Sequence, residues 1–88
     1  MKTSRQLERH FKGVANHRRI DILLLIDVEG KVNLDTISHK LNCNMKTISQ
    51  HTRRLVQAGL VNKKYQGQMV FHSLTLYGKK FLTFIKKF

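Results

Sequence analysis

Between Asn44 and Gln57 the chain reads "NMKTISQHTRRLVQ", a run rich in side chains that hydrogen-bond to nucleobases and phosphates. Lys46, Arg53 and Arg54 can donate to phosphate or to guanine, and Gln50 offers the paired donor and acceptor that matches adenine. Asn44, Thr47 and Ser49 suit phosphate oxygens or base edges. This is recognition chemistry, in which no covalent bond is made or broken. On an arbitrary soluble domain the same face would be ordinary solvated surface, so its surroundings decide the reading.

Other chemistries find little support. No paired-carboxylate motif, glycine-rich phosphate loop or GxSxG context occurs, and the half of the chain after Asp35 has no carboxylate side chain at all. An enzyme is rejected and no cofactor is expected. The five histidines follow no metal-ligand spacing: His10 and His17 fall in different predicted helices, and His39, His51 and His72 are scattered. They read as structural or surface groups, and no metal partner is expected. The single cysteine, Cys43, rules out an internal disulfide and fits a small apolar position in a turn. A redox role would need its thiol to be activated, for which Lys46 is a neighbouring cation.

Charge supplies the context. Seventeen Lys and Arg stand against five Asp and Glu, for a net charge of +12. All five acids (Glu8, Asp21, Asp27, Glu29 and Asp35) lie in the first 35 residues, accompanied by seven basic residues; the remaining 53 carry ten basic residues and no acid. Such asymmetry points to a polyanionic partner, either nucleic acid or an anionic membrane surface. No run reaches the about 18–20 apolar residues of a membrane span, and no apolar signal region follows the charged start. A cytoplasmic location is therefore expected. With 88 residues and 41% hydrophobic content, residues 1–88 form one small domain, for which a dimer interface is a common source of added stability.

The elements that must position the polar run follow from hydrophobic periodicity. Leu7, Phe11 and Val14 give a first helix over residues 5–14, whose end Gly13 is expected to loosen. Asn16 caps a second helix so densely apolar, from Ile20 to Val28, that it must be central and buried; Gly30 ends it. Asn33 caps a third, with Leu34, Ile37 and Leu41 at helical spacing. After the break "NCNM", Ile48, Thr52 and Leu55 form the apolar side of the polar run, Gly59 supplies the left-handed stop, and Leu60 folds back against it. Two helices across so short a turn are a helix-turn-helix candidate. The period then changes to that of strands in "LVNKKYQ" and "MVFHSLT", which Gly67 joins as a tight hairpin. Thr75 caps a last helix bearing Phe81, Phe84, Ile85 and Phe88 on one face, with Gly78 predicting an irregular start. The expected class is mainly α with a small β-hairpin, in the order α-α-α-α-β-β-α.

That order resembles the ArsR-type winged helix-turn-helix regulators of bacteria and archaea, over roughly residues 7–75 by the pattern above. "FKGVANHRRIDILLLI" is similar to the family's opening helix pair and "TISQHTRRLVQAGLV" to its recognition helix, while "YQGQMVFHSL" resembles its wing. The resemblance implies a homodimeric repressor that binds double-stranded operator DNA, with the recognition helix in the major groove and the wing nearby. On it, Lys46, Thr47, Ser49 and Gln50 read bases, Arg53 and Arg54 grip phosphate, and Lys63, Lys64, Gln66 and Gln68 supply the wing contacts. Arg54 departs from the family's common apolar residue, and glutamines replace the arginines frequent near the wing tip. The first and last helices would make the dimer through Leu7, Phe11, Val14, Phe81, Phe84, Ile85 and Phe88. The cysteine pair and the acidic or histidine ligands of the family's metal sensors are absent from "KVNLDTI" and "LYGKKFLTFIKKF". Two rival readings remain: a membrane-surface protein using the basic amphipathic tail, and a winged helix that binds a protein partner.

Overall fold

The computed structural model describes residues 1–88. Its elements are α1 (Ser4–Val14), α2 (His17–Glu29), β1 (Lys31–Val32), α3 (Leu34–Lys40), α4 (Met45–Gln57), β2 (Val61–Gln66), β3 (Met69–Leu74) and α5 (Leu76–Ile85). This is the expected helical order and hairpin with one addition. The two-residue β1 is too short to carry a periodic signal, yet it pairs Lys31 with Ser73 and Val32 with His72, which makes β3 the centre of an antiparallel sheet ordered β1-β3-β2.

Each helix starts where a side chain can accept from its free N–H groups. Asn16, Asn33 and Thr75 cap α2, α3 and α5 as the sequence suggests. Asn44 caps α4 through Thr47 N at 2.9 Å, and Thr3 with Gln6 forms a reciprocal capping box on α1. Helix α2, with its apolar run Ile22–Ile26, is the central helix: Ile22, Leu23 and Ile26 are fully buried among Ile37, Ile48, Leu55, Leu60 and Leu82.

The end of α4 is closed by a Schellman pair, Leu60 N to Leu55 O at 3.0 Å and Gly59 N to Val56 O at 3.0 Å, with Gly59 at φ +77°. Two other glycines do more than their local propensity suggests. Gly13 does not loosen α1. It is buried where α1 crosses α4, and a Cβ there would lie 2.1 Å from the Ala58 Cβ. Gly78 sits in a regular, capped first turn of α5, and a Cβ there would lie 2.1 Å from the Leu60 carbonyl oxygen. Val14, expected on the dimer face, is 8% exposed in the single chain and packs with its core.

His72, at the centre of β3, points toward α4. It is 3% exposed and shares a small cavity of about 170 Å3 with Thr52, Ser49, Arg53 and Lys63. Burial holds its imidazole below the ordinary pKa, and the Lys63 ammonium across the hairpin pushes the same way; a bond to the Val32 backbone opposes both. No acidic group lines that cavity.

Two outcomes follow from this packing. By helix propensity alone Gly78→Ala would stabilise by about 1 kcal/mol, but its methyl group meets a backbone oxygen that cannot move alone. The variant is expected to lose about 1–3 kcal/mol in thermal or urea unfolding; a protein as stable as the parent would contradict the packing. For His72, the unfolded chain takes up its proton first as pH falls through about 6.5, so stability is full above that value and declines toward the lowered pKa of the folded state. Replacing His72→Leu should flatten the fall in urea midpoint between about pH 7.5 and about pH 5. An unchanged slope would exclude His72 as its source.

Candidate nucleic-acid interface

Helix α4 has a fixed back and a free front. Ile48, Thr52 and Leu55 are buried, whereas Lys46, Gln50, Arg53 and Gln57 are exposed. At helical spacing these four form one continuous ridge. Gln57 was not singled out from sequence, although its place eleven residues after Lys46 gives the signal. Thr47 and Ser49 are half-buried on opposite flanks. Asn44 commits its side-chain oxygen to the cap, which leaves its amide N–H groups for other partners. No acid occurs anywhere along α4, and its N-terminal turn adds the positive end of the helix dipole to Lys46.

The hairpin beside α4 divides the expected wing residues between two faces. Gly67 and Gln68 make a two-residue turn with positive φ only at Gly67, the II′ pattern that suits the twist of a hairpin. Lys63 pairs across from buried His72 and lines the same cavity as Arg53, so it lies on the α4 side. Lys64 and Gln66 alternate onto the other face, where Lys31 donates to Gln66 Oε1 at 3.2 Å and lies over the Phe71 ring. Lys63 therefore joins the front of α4, Gln68 lies at the exposed tip, and Lys64 and Gln66 turn away.

The opposite flank of α4 is cationic too. Arg54 is exposed and lines a groove against α1 with Arg9, Lys12 and Arg19. Arg19 donates from Nε to His51 Nδ1 at 3.2 Å. The His51 imidazole is held below its ordinary pKa, first by desolvation and then by Arg19, His17 and Arg18. Sequence reasoning missed Arg19, because its importance lies in contacts 32 residues away. Three of the five acids are paired with lysines away from the ridge: Glu8 with Lys12, Glu29 with Lys40 and Asp27 with Lys86.

On the far side of the molecule, α1 and α5 leave an apolar groove lined by Leu7, His10, Phe11, Tyr77, Phe81 and Phe84, with Lys2 and Lys80 at its rim. Phe11 meets Phe81 edge-on at 5.1 Å, and Phe84 meets the fully exposed Phe88 in the same manner. Phe81 and Ile85 are partly buried and also pack on the core.

The histidines go to separate tasks: His10 is buried against the Ala58 carbonyl, His51 orients Arg19, His72 packs under the sheet, and His17 and His39 are exposed. No three His, Cys, Asp or Glu side chains converge as a metal site. Cys43 is half-buried against the core in the turn before α4. No helix is long and apolar enough to cross a membrane.

Comparison with known proteins agrees with this geometry. The sequence profile of the MarR family matches residues 15–65, more than half of the chain. Over 64 residues the chain is 33% identical to the transcriptional activator HlyU of Vibrio cholerae, a match covering 73% of this chain and 58% of that protein. It is also 33% identical over 64 residues to the arsenic resistance transcriptional regulator ArsR1 of Pseudomonas putida, covering 73% and 50%. The chain thus spans little more than half the length of the curated relatives it matches. Among solved structures, HlyU from Vibrio cholerae has a TM-score of 0.85 at 28% identity, with 98% of this chain and 94% of that chain covered. The homodimeric winged helix-turn-helix DNA-binding domain Mb0332 from Mycobacterium bovis has a TM-score of 0.80 over 99% and 85%; at 24% identity it bears on the fold alone. These relatives are transcriptional regulators, not enzymes, and on the profile and the fold together the chain belongs to the MarR family, among winged helix-turn-helix regulators of the HlyU and ArsR type.

Proposed function

We propose that this chain is a homodimeric regulator of transcription that binds double-stranded DNA, with α4 in the major groove and Lys63 and Gln68 of the hairpin against a flanking backbone. The observation that carries the reading is the ridge of Lys46, Gln50, Arg53 and Gln57, acid-free and exposed on a helix whose other face is locked into the core. Residues near the N-terminus of such a helix reach base edges first, so Lys46, Thr47, Ser49 and Gln50 read sequence while Arg53 holds phosphate. The groove of α1 and α5 is the dimer face, formed by Leu7, Phe11, Phe81, Phe84, Ile85 and Phe88 together with Tyr77, which the sequence reading did not include. A second copy would cover apolar surface that a single chain leaves in water, and two-fold symmetry would present two α4 helices to two half-sites. Operator occupancy by itself excludes polymerase, so repression is the control that needs no further surface.

A membrane-surface role is less well supported. Leu82 of α5 is buried, Phe81 and Ile85 pack on the core, and Lys86 is paired with Asp27, so part of the amphipathic face that lipid would need is already engaged within the chain.

Binding to a duplex selected from a random library should weaken linearly in log–log form with NaCl, by about 0.9 per phosphate neutralised. Lys46→Ala or Gln50→Ala should cost about 1–3 kcal/mol on the selected site and relax preference at one base position. Absence of binding to any duplex at low salt would refute the function. Phe11→Glu combined with Phe84→Glu should shift the chain from dimer to monomer in sedimentation; a wild type that sediments as a monomer would exclude this dimer.

A further inference from the structure

Arg19 is the one cation in the chain held by three side-chain hydrogen bonds and no acid. Its Nε donates to His51 Nδ1 on α4 at 3.2 Å, and its Nη1 donates to the carbonyls of Lys12 and Gly13 on α1 at 3.2 and 3.3 Å. A guanidinium has five N–H donors. The arrangement uses Nε and Nη1 and leaves both Nη2 hydrogens unbonded within the chain. Each restraint comes from a rigid helix, so this group is oriented before any ligand arrives.

The surroundings of Arg19 are equally specific. A groove of about 450 Å3 between α1 and α4 is lined by Arg19, Arg54, Arg9 and Lys12. It runs into a hollow of about 420 Å3 lined by Arg19, Arg54, Arg53, His51, Gln50 and Gln57. Arg19, Arg54 and Gln57 border both. The only acid in either wall is Glu8, which faces Lys12 at 3.8 Å and neutralises none of the arginines. A cleft with four guanidiniums and no counter-charge for them is shaped for an oxyanion.

We propose that this groove seats a backbone phosphate of the bound duplex, held between Arg19 Nη2 and Arg54 on the flank of α4 away from the hairpin. The proposal rests on the DNA-binding reading and extends it to α1 and α2. It also accounts for the glutamine-flanked hairpin tip, because arginines on the opposite flank supply the guanidinium contacts that the tip lacks. Arg54 and Arg19 are binding residues in this arrangement, with Arg9 and Arg53 at the ends of the groove. His51 is a positioning residue, since its neutral Nδ1 aims Arg19 and does not itself meet the phosphate.

The test is fluorescence anisotropy of the full chain with a selected duplex and with random duplexes over a range of NaCl, with circular dichroism confirming that each variant is folded. Arg54→Gln and Arg19→Gln should each weaken binding to all duplexes alike, by about ten-fold, and lower the salt slope by about 0.9, with base preference unchanged. His51→Leu should reproduce part of the Arg19→Gln loss and His51→Gln, which keeps an acceptor, should restore it. Because Arg19 also bonds to α1, Arg54→Gln decides the matter if Arg19→Gln unfolds, as the Arg54 side chain makes no ion pair within the chain. An Arg54→Gln protein with wild-type affinity and slope would overturn the phosphate seat, as would a loss confined to the selected sequence. Lys46→Ala separates this failure from failure of the DNA reading: if it alone loses the selected site, α4 reads DNA without the groove. Should the wild type bind no duplex, both fall.

Discussion

Three consecutive carbonyls at the end of α4 hold the molecule together. His10 Nδ1 donates to Ala58 O at 2.7 Å, the Thr75 hydroxyl donates to Gly59 O at 2.7 Å, and Thr75 N donates to Leu60 O at 3.1 Å. A carbonyl only accepts, so the His10 proton must be on Nδ1. The same Thr75 oxygen accepts from Gly78 N, which starts α5 on the spot where α4 stops. Close approach is essential to this junction, and it explains Gly13 against Ala58 and Gly78 against Leu60: a methyl group at either would force the helices apart. Once these carbonyls are satisfied by α1 and α5, the direction of α4 and the departure of β2 at Val61 are set together.

Fixing one end of α4 leaves the other free to act. The N-terminal half needs only its own Asn44 cap, and it projects the Lys46 and Gln50 side chains from a helix whose back is buried. The junction also ties α4 to the α1 and α5 face. His10 stacks on Tyr77 with ring centroids 5.0 Å apart and lines the apolar groove, while its Nδ1 reaches Ala58. In the proposed dimer, the surface that joins two chains and the bond that orients each recognition helix therefore share a residue. Electrostatics are arranged around the same axis, with Glu8, Glu29 and Asp27 held by Lys12, Lys40 and Lys86 and cations left unpaired along α4.

Much of this was legible in the sequence where the cause is local. Asn16, Asn33 and Thr75 announce helix starts through their own side chains, Gly59 followed by Leu60 announces a stop, and the unbroken apolar run of α2 can only be a core helix. What was missed depends on contacts between distant elements. Gly13 and Gly78 look like weaknesses when read by propensity, and only the crossing of α1 with α4 and of Leu60 with α5 makes them necessary. Val14 shares a stripe with Leu7 and Phe11, but the stripe does not say where the core ends and the outer face begins. Alternation along β2 separates Lys63 from Lys64, yet which of them faces α4 follows from the register with His72. Arg19 had no signal of its own, because its role comes from a histidine on another helix.

The central claim is that α4, presented by its anchored C-terminal end, enters the major groove. It is tested most directly by methylation protection of guanine N7, an atom exposed only in that groove, on a selected duplex. The account predicts two protected tracts with centres about one helical turn, or 10 base pairs, apart, lost when Lys46 and Gln50 are replaced. Tight binding with guanine N7 unprotected throughout would contradict it.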